Sequence, residues 1–264
     1  MKIRKAVVAG QFYPASADEC DTIFSYYNEL FEKHIDKTLL DIKSKVIIVP
    51  HAGYIYSGFT ANIAYRILAN SNLKRVIVIG PSHRVYFLGS SVGDFDLFET
   101  PFGNLQYEST FASELRQKFK LNFFPDAHQE HSTEVQMPFI KKYLNAKIVE
   151  LIYNDESPSN LVPIIDYALK DGSTGVIIST DLSHFKTKEE AKQLDSICID
   201  AVLKLAPNAL HKGCEACGKI GIESILVVAS NLNLKPFLLD YRTSADASGD
   251  NSQVVGYLSV AFTN

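Results

Sequence analysis

The sequence predicts an α/β protein: a single domain over residues 1–264, with a central mixed β-sheet flanked by helices. Three observations carry this. Four short apolar runs rich in β-branched residues, "KVIIV" (45–49), "RVIVIG" (75–80), "AKIVELIY" (146–153) and "GVIIST" (175–180), alternate with stretches of helical period. Continuous apolar runs of that length are what strands buried on both faces of a parallel sheet require. The last two candidates, 235–244 and 254–262, follow one another directly and can pair antiparallel, which makes the sheet mixed. Finally, 264 residues with 46% hydrophobic and 21% charged side chains suffice for one large core, and no repeat or Pro/Gly/Ser-rich linker divides them.

The elements follow in order. Residues 17–35 read as a helix, because Ile23, Phe24, Tyr27, Leu30 and Phe31 recur at helical spacing. "FTANIAYRILAN" (59–70) reads as a second helix, with Ile63, Ile67 and Leu68 on one face. Further helices are expected at 109–119, 133–143, 158–170, 187–205 and 220–230.

Composition excludes several functions. A net charge of -4 without a Lys/Arg cluster interleaved with aromatics gives no nucleic-acid footprint. No apolar stretch reaches the length of a membrane span, and the N-terminal apolar run is too short for a signal peptide. No Gly-rich nucleotide motif and no G-x-S-x-G elbow is present, so a nucleotide cofactor has no support. Cys20, Cys198, Cys214 and Cys217 are too few for a disulfide scaffold. With no export signal they are expected as reduced thiols in the cytoplasm.

Three strand ends share one architecture. "VIIVPHAGY", "VIVIGPSHR" and "VIISTDLSHF" each break from a buried strand into small residues and then deliver His51, His83 or His184, with Asp181 three residues before the last. A lone loop histidine is ordinarily solvated or capping. Three of the seven histidines in one context point to a shared site at the carboxyl edge of the sheet, where open α/β sheets bind ligands. Imidazole is the common transition-metal ligand and general base near neutral pH. In "HQEHSTEVQMPF" (128–139), His131 and Glu134 share a helical face, and Thr133 with Gln136 fits a capping box. "GCEACGKIGIES" (213–224) holds a C-x-x-C, Cys214 and Cys217, with no second ligand pair for a structural zinc site. Cys217 at an apparent helix start is expected to have a lowered thiol pKa.

Together, "GQFYPAS", "PHAGYIYSG", "GPSH", "TPFGNL", "EHSTEVQMPF", "STDLSHF", "CGKIGI" and "YRTSADASGDNSQVVGYLSVAF" resemble the Memo family over essentially the whole chain. The resemblance implies the fold of class III extradiol ring-cleavage dioxygenases, in which two histidines and a glutamate hold Fe(II). Carried over by motif, the metal ligands are His51, His83 and Cys217. His184 is the acid/base, with Asp181 beside it, and Tyr54, His131 and Glu134 line the pocket. The dioxygenases have a carboxylate where this chain has Cys217. The resemblance favours Fe(II), while thiolate softens the site and shifts its preference toward Cu(I), Zn or a thiolate-bound iron, so Cu and Zn stand as alternatives. Glu215 and Glu223 are the carboxylates nearest in sequence to Cys217.

Three functions compete. The first is a metal-dependent oxidoreductase acting on a small molecule or peptide, with a functional link to radical-SAM proteins implied by the resemblance. The second is a metal- or ligand-binding module without turnover. The third is a thiol hydrolase using Cys217 and His184.

Overall fold

A computed structural model describes residues 1–263. The chain runs through β1 (Ile3–Arg4), α1 (Ala17–His34), β2 (Val46–Val49), α2 (Tyr54–Leu68), β3 (Arg75–Pro81), β4 (Gly89–Val92), β5 (Leu97–Phe98), β6 (Leu105–Gln106) and α3 (Ser109–Phe119). It continues with α4 (His131–Glu134), α5 (Met137–Tyr143), β7 (Lys147–Asn154), α6 (Pro158–Leu169), β8 (Thr174–Ser179), β9 (His184–Lys186) and α7 (Lys188–Leu203). Helix α8 (Lys219–Asn231), β10 (Lys235–Thr243), α9 (Ala245–Ser248) and β11 (Val254–Thr263) complete it.

The main sheet has the order β10-β11-β2-β8-β3-β7-β4, with β9 attached to β11. Strands β2, β8, β3 and β7 are mutually parallel. The expected antiparallel closing pair is present as β10 and β11, and β11 also runs antiparallel to β2. Each residue of β2 is at most 1% exposed, because helices flank the sheet. Helix α2 packs on β2, β10 and β11, and α6 and α8 pack on β8. A small sheet, β1-β5-β6, ties the N-terminus to the segment after β4. The site depends on one consequence of this order: β8 lies between β2 and β3, so the carboxyl ends of all three meet at one edge.

Several expectations are corrected. The helix expected from residue 59 begins at Tyr54, capped by Gly53. The helix expected over 133–143 is two pieces, α4 and α5. Pro138 has no N–H to donate to the carbonyl of Glu134, so the helix must restart. The expected capping box is absent: Glu130 caps α4, accepting from the backbone N–H of His131 and Ser132, while Gln136 is buried and bonded elsewhere. The four cysteines are not all free thiols. Cys198 on α7 and Cys214 form a disulfide, because the turn through Gly213 (φ 128°) brings their Cα atoms to 5.0 Å. Cys20 and Cys217 remain free. Among the described residues, no helix is long and apolar enough to cross a membrane.

Candidate metal centre

His51 follows β2 and His83 follows β3, each after one intervening residue. His131 opens α4. Each offers one ring nitrogen, and the three nitrogens lie within 4.8 Å of one another, so the three histidines could hold a metal ion. His51 meets both other rings edgewise, with centroids 5.2 Å from His83 and 5.4 Å from His131, and the His83 and His131 rings are tilted to one another at 4.6 Å.

The contacts behind each ring bear on which nitrogen is free. Ser179, the last residue of β8, donates its single proton to the carbonyl of Ser132 at 2.5 Å and accepts from Gln136 Nε2 at 2.9 Å. Its contact with His51 Nδ1 at 3.0 Å can then only be one in which the ring donates. His51 is therefore the Nδ1–H tautomer, and its Nε2 carries the lone pair. Gln136 is held in turn by Tyr65, which donates to its Oε1, and it donates to Pro50 O. On the other side, Glu130 faces the Nδ1 atoms of both His83 (3.1 Å) and His131 (2.8 Å). The His131 contact has an ion-pair distance but lies off the line of a hydrogen bond, so that buried nitrogen has no hydrogen-bond partner. In all three histidines Nδ1 is turned to an oxygen, and Nε2 is left for a ligand.

Electrostatics agree with ligation. Burial, reinforced by the neighbouring His83 and His131, holds the pKa of His51 well below its ordinary value, so the ring stays neutral. Burial alone would raise the pKa of Glu130. The adjacent His131 imidazole and the hydrogen bonds from His83 overcome this and hold the carboxyl well below the usual carboxylate range.

Cys217 reaches the same place from the loop before α8. Its Sγ lies 3.3 Å from His51 Nε2, and it accepts from Asp181 N at 3.3 Å. The expected thiolate character is corrected: burial, then the Asp181 charge, pushes the thiol up to about 12. The close approach of this loop requires Gly218, where an added Cβ would stand 2.5 Å from Thr180 Cβ. Asp181 is buried, and Oδ1 accepts from His51 N at 2.7 Å. Burial raises its pKa against that bond and the adjacent histidines.

The remaining expected residues fall elsewhere. His184 lies outside the three-histidine cluster, on β9, where it pairs with Val255. The adjacent Phe185 is held at φ 58° with its side chain in solvent. Glu134 does not line the pocket. Its carboxylate is fully buried, paired with Arg4 and accepting from Val7 N, Val8 N and Tyr13 Oη. Tyr54 borders a cleft of about 720 Å³ with Phe12, Ile55 and Tyr56. Its ring nevertheless packs inward against Phe139 (4.7 Å), and its hydroxyl donates to Val135 O. Phe12 joins that cleft to the histidines, its ring 4.7 Å from that of His131. Glu215 and Glu223 are spent on Lys186 and His211. The reading from sequence missed Glu130, Ser179 and Gln136. Only Glu130 left a signal, as a carboxylate adjoining His131 in "HQEH".

The profile of the Memo-like protein family matches residues 4–261. A MEMO1 family protein of Aquifex aeolicus is 33% identical, over 99% of this chain and 100% of its own. One of Sulfurisphaera tokodaii is 33% identical over 98% and 99%. One of Methanobrevibacter smithii is 34% identical, again over 98% of this chain and 99% of its own.

Proposed function

Since this chain belongs to the Memo-like family, we propose that it is a metal-dependent oxidoreductase with one metal ion per chain, Fe(II) or Cu, held by His51, His83 and His131 with Cys217 as a further donor. The observation that carries the reading is the convergence of three imidazoles whose Nδ1 atoms are all turned toward side-chain oxygens. Three imidazoles, neutral at His51, whose ligand nitrogens lie within 4.8 Å of one another fit an ion better than they fit a packed core. Imidazoles with a thiol suit Fe or Cu rather than Mg or Ca.

A bound metal of this kind supplies one-electron chemistry and Lewis acidity. The protein supplies the rest. Asp181 Oδ1 is committed to His51 N, which leaves Oδ2 to hold a substrate proton. His184, partly exposed on β9, exchanges protons with solvent. The cleft past Phe12, Ile55 and Tyr56 admits a small molecule or peptide. The functional link to radical-SAM proteins and a cytoplasmic setting belong to the same proposal. The thiol-hydrolase reading weakens, because Cys217 is held protonated.

Elemental analysis of anaerobically purified protein tests this. Wild type retains Fe or Cu at one equivalent, and His51→Ala and His83→Ala lose it. Wild type without metal overturns the proposal. Stoichiometric metal with no turnover of any redox substrate leaves only the binding module.

A further inference from the structure

We propose that Glu130 is the positioning residue of this centre: one buried carboxylate that sets the tautomer of two ligand imidazoles at once. The inference rests on the metal-site reading above. Glu130 is 0% exposed. Its Oε2 accepts from His83 N at 2.6 Å. Its Oε1 accepts from His131 N at 2.8 Å and Ser132 N at 3.1 Å, and it faces both Nδ1 atoms. Every one of these partners is a donor or must become one. Both oxygens already accept backbone N–H groups, so what they offer the rings is a further acceptor, and both rings keep the proton on Nδ1 and the lone pair on Nε2. His131 Nδ1 lies 2.8 Å from Oε1 but off the hydrogen-bond line, and it is the ring nitrogen of the cluster that is buried without a hydrogen-bond partner.

A glutamine of the same shape cannot do this. With its oxygen at the Oε1 position, its NH2 meets the His83 backbone N–H, donor against donor, across a 2.6 Å gap. Flipped, its NH2 meets His131 N, Ser132 N and two ring nitrogens. In the flipped orientation the available relief is for an imidazole to move its proton to Nε2 and accept from that NH2, which removes the lone pair a metal needs. Outer-shell carboxylates that orient a metal-bound histidine are common. Here one carboxylate serves two rings, so its loss weakens two ligands together. His51 is insulated, because Ser179 fixes its tautomer separately.

The test is long-range 1H–15N correlation of histidine rings in metal-free protein at about pH 8, where ordinary imidazoles are neutral, with Zn(II) affinity measured alongside. In wild type, His83 and His131 are Nδ1–H tautomers. In Glu130→Gln at least one moves to Nε2–H, the His51 resonances stay, and Zn(II) affinity falls about 10- to 100-fold. Thr133→Val, on the same helix turn, leaves the tautomers unchanged. A folded Glu130→Gln that keeps both tautomers and binds Zn(II) within about twofold of wild type overturns the proposal. Should the variant not fold, an Nε2–H tautomer on either ring of wild type overturns it equally. Failure of wild type to bind Zn(II) speaks against the metal-site reading. The tautomers, read without metal, speak to Glu130 alone.

Discussion

The protein contains two histidine–carboxylate–serine arrangements, and their difference separates structure from function. In the first, His128 is 1% exposed. Its Nδ1 meets Glu150 at 2.6 Å and its Nε2 meets Ser91 Oγ at 2.8 Å. Glu150 also accepts from Thr133 Oγ1, and Ser91 Oγ accepts from Phe124 N. Both ring nitrogens are spent, no atom of the set faces solvent, and the network pins α4 to β7. In the second, His51, His83 and His131 face Ser179 and Glu130 through one nitrogen each; the other nitrogen of His83 and His131 is left over, and that of His51 meets only the Cys217 thiol. The residue types are the same. What distinguishes a ligand from a structural histidine is the unspent nitrogen.

The largest effect that would sharpen this contrast is Glu150→Ala. It leaves His128 buried beside an empty acceptor position and costs about 3–5 kcal/mol, the usual range for one half of a buried pair. Chemical denaturation measures it, and Zn(II) affinity of the folded fraction stays near wild type. A large loss of affinity with little loss of stability would break the contrast.

A matched pair of serine substitutions comes next. Ser91→Ala and Ser179→Ala each remove a hydroxyl facing a buried histidine, at about 1–3 kcal/mol of stability. Only Ser179→Ala, which frees the His51 tautomer, also lowers Zn(II) affinity, by about 10-fold or more. Isothermal titration of both variants decides it, and equal effects would contradict the assignment.

The smallest effect is in pH. Burial raises the Glu150 pKa, but the His128 charge and hydrogen bond outweigh it, so the folded value is depressed. A depressed carboxyl stabilises the fold above its unfolded pKa of about 4.3, and that stability is lost as pH falls through the folded value. Thermal melts should therefore fall below about pH 4.3, with a shallower acid slope in Glu150→Gln.

The parts of this molecule visible in the sequence are those that local pattern dictates. β2, β3, β7 and β8 announced themselves because buried parallel strands are unbroken β-branched runs, and His51 and His83 stood out as their immediate continuations. What failed depended on distant contacts. His131 and Glu134 share a helical face in any periodic reading. Glu134, however, is claimed by Arg4 and the N-terminal backbone, some 130 residues away in sequence. Cys214 pairs with Cys198 and not within its own C-x-x-C, because only the turn after α7 sets which sulfurs meet. The Cys217 thiol was expected low from a helix terminus, an effect smaller than burial beside Asp181.

The placement of β8 between β2 and β3 has a consequence in time. The three histidines have all been synthesised once residue 131 is made, yet Ser179, which orients His51, arrives nearly fifty residues later. β2 and β3 are not neighbours in the finished sheet. The strand between them is the last of the four parallel strands to be synthesised, so a nascent or truncated chain carries the ligands without the centre. Under the proposed function, metal capture would report completed topology, and an ion at about 100 times its dissociation constant would add about 2.7 kcal/mol to the finished fold alone. Domains that depend on such late insertions fold slowly for their size, since distant contacts must close before they are rewarded. In this protein the ion would serve as a latch on the final step.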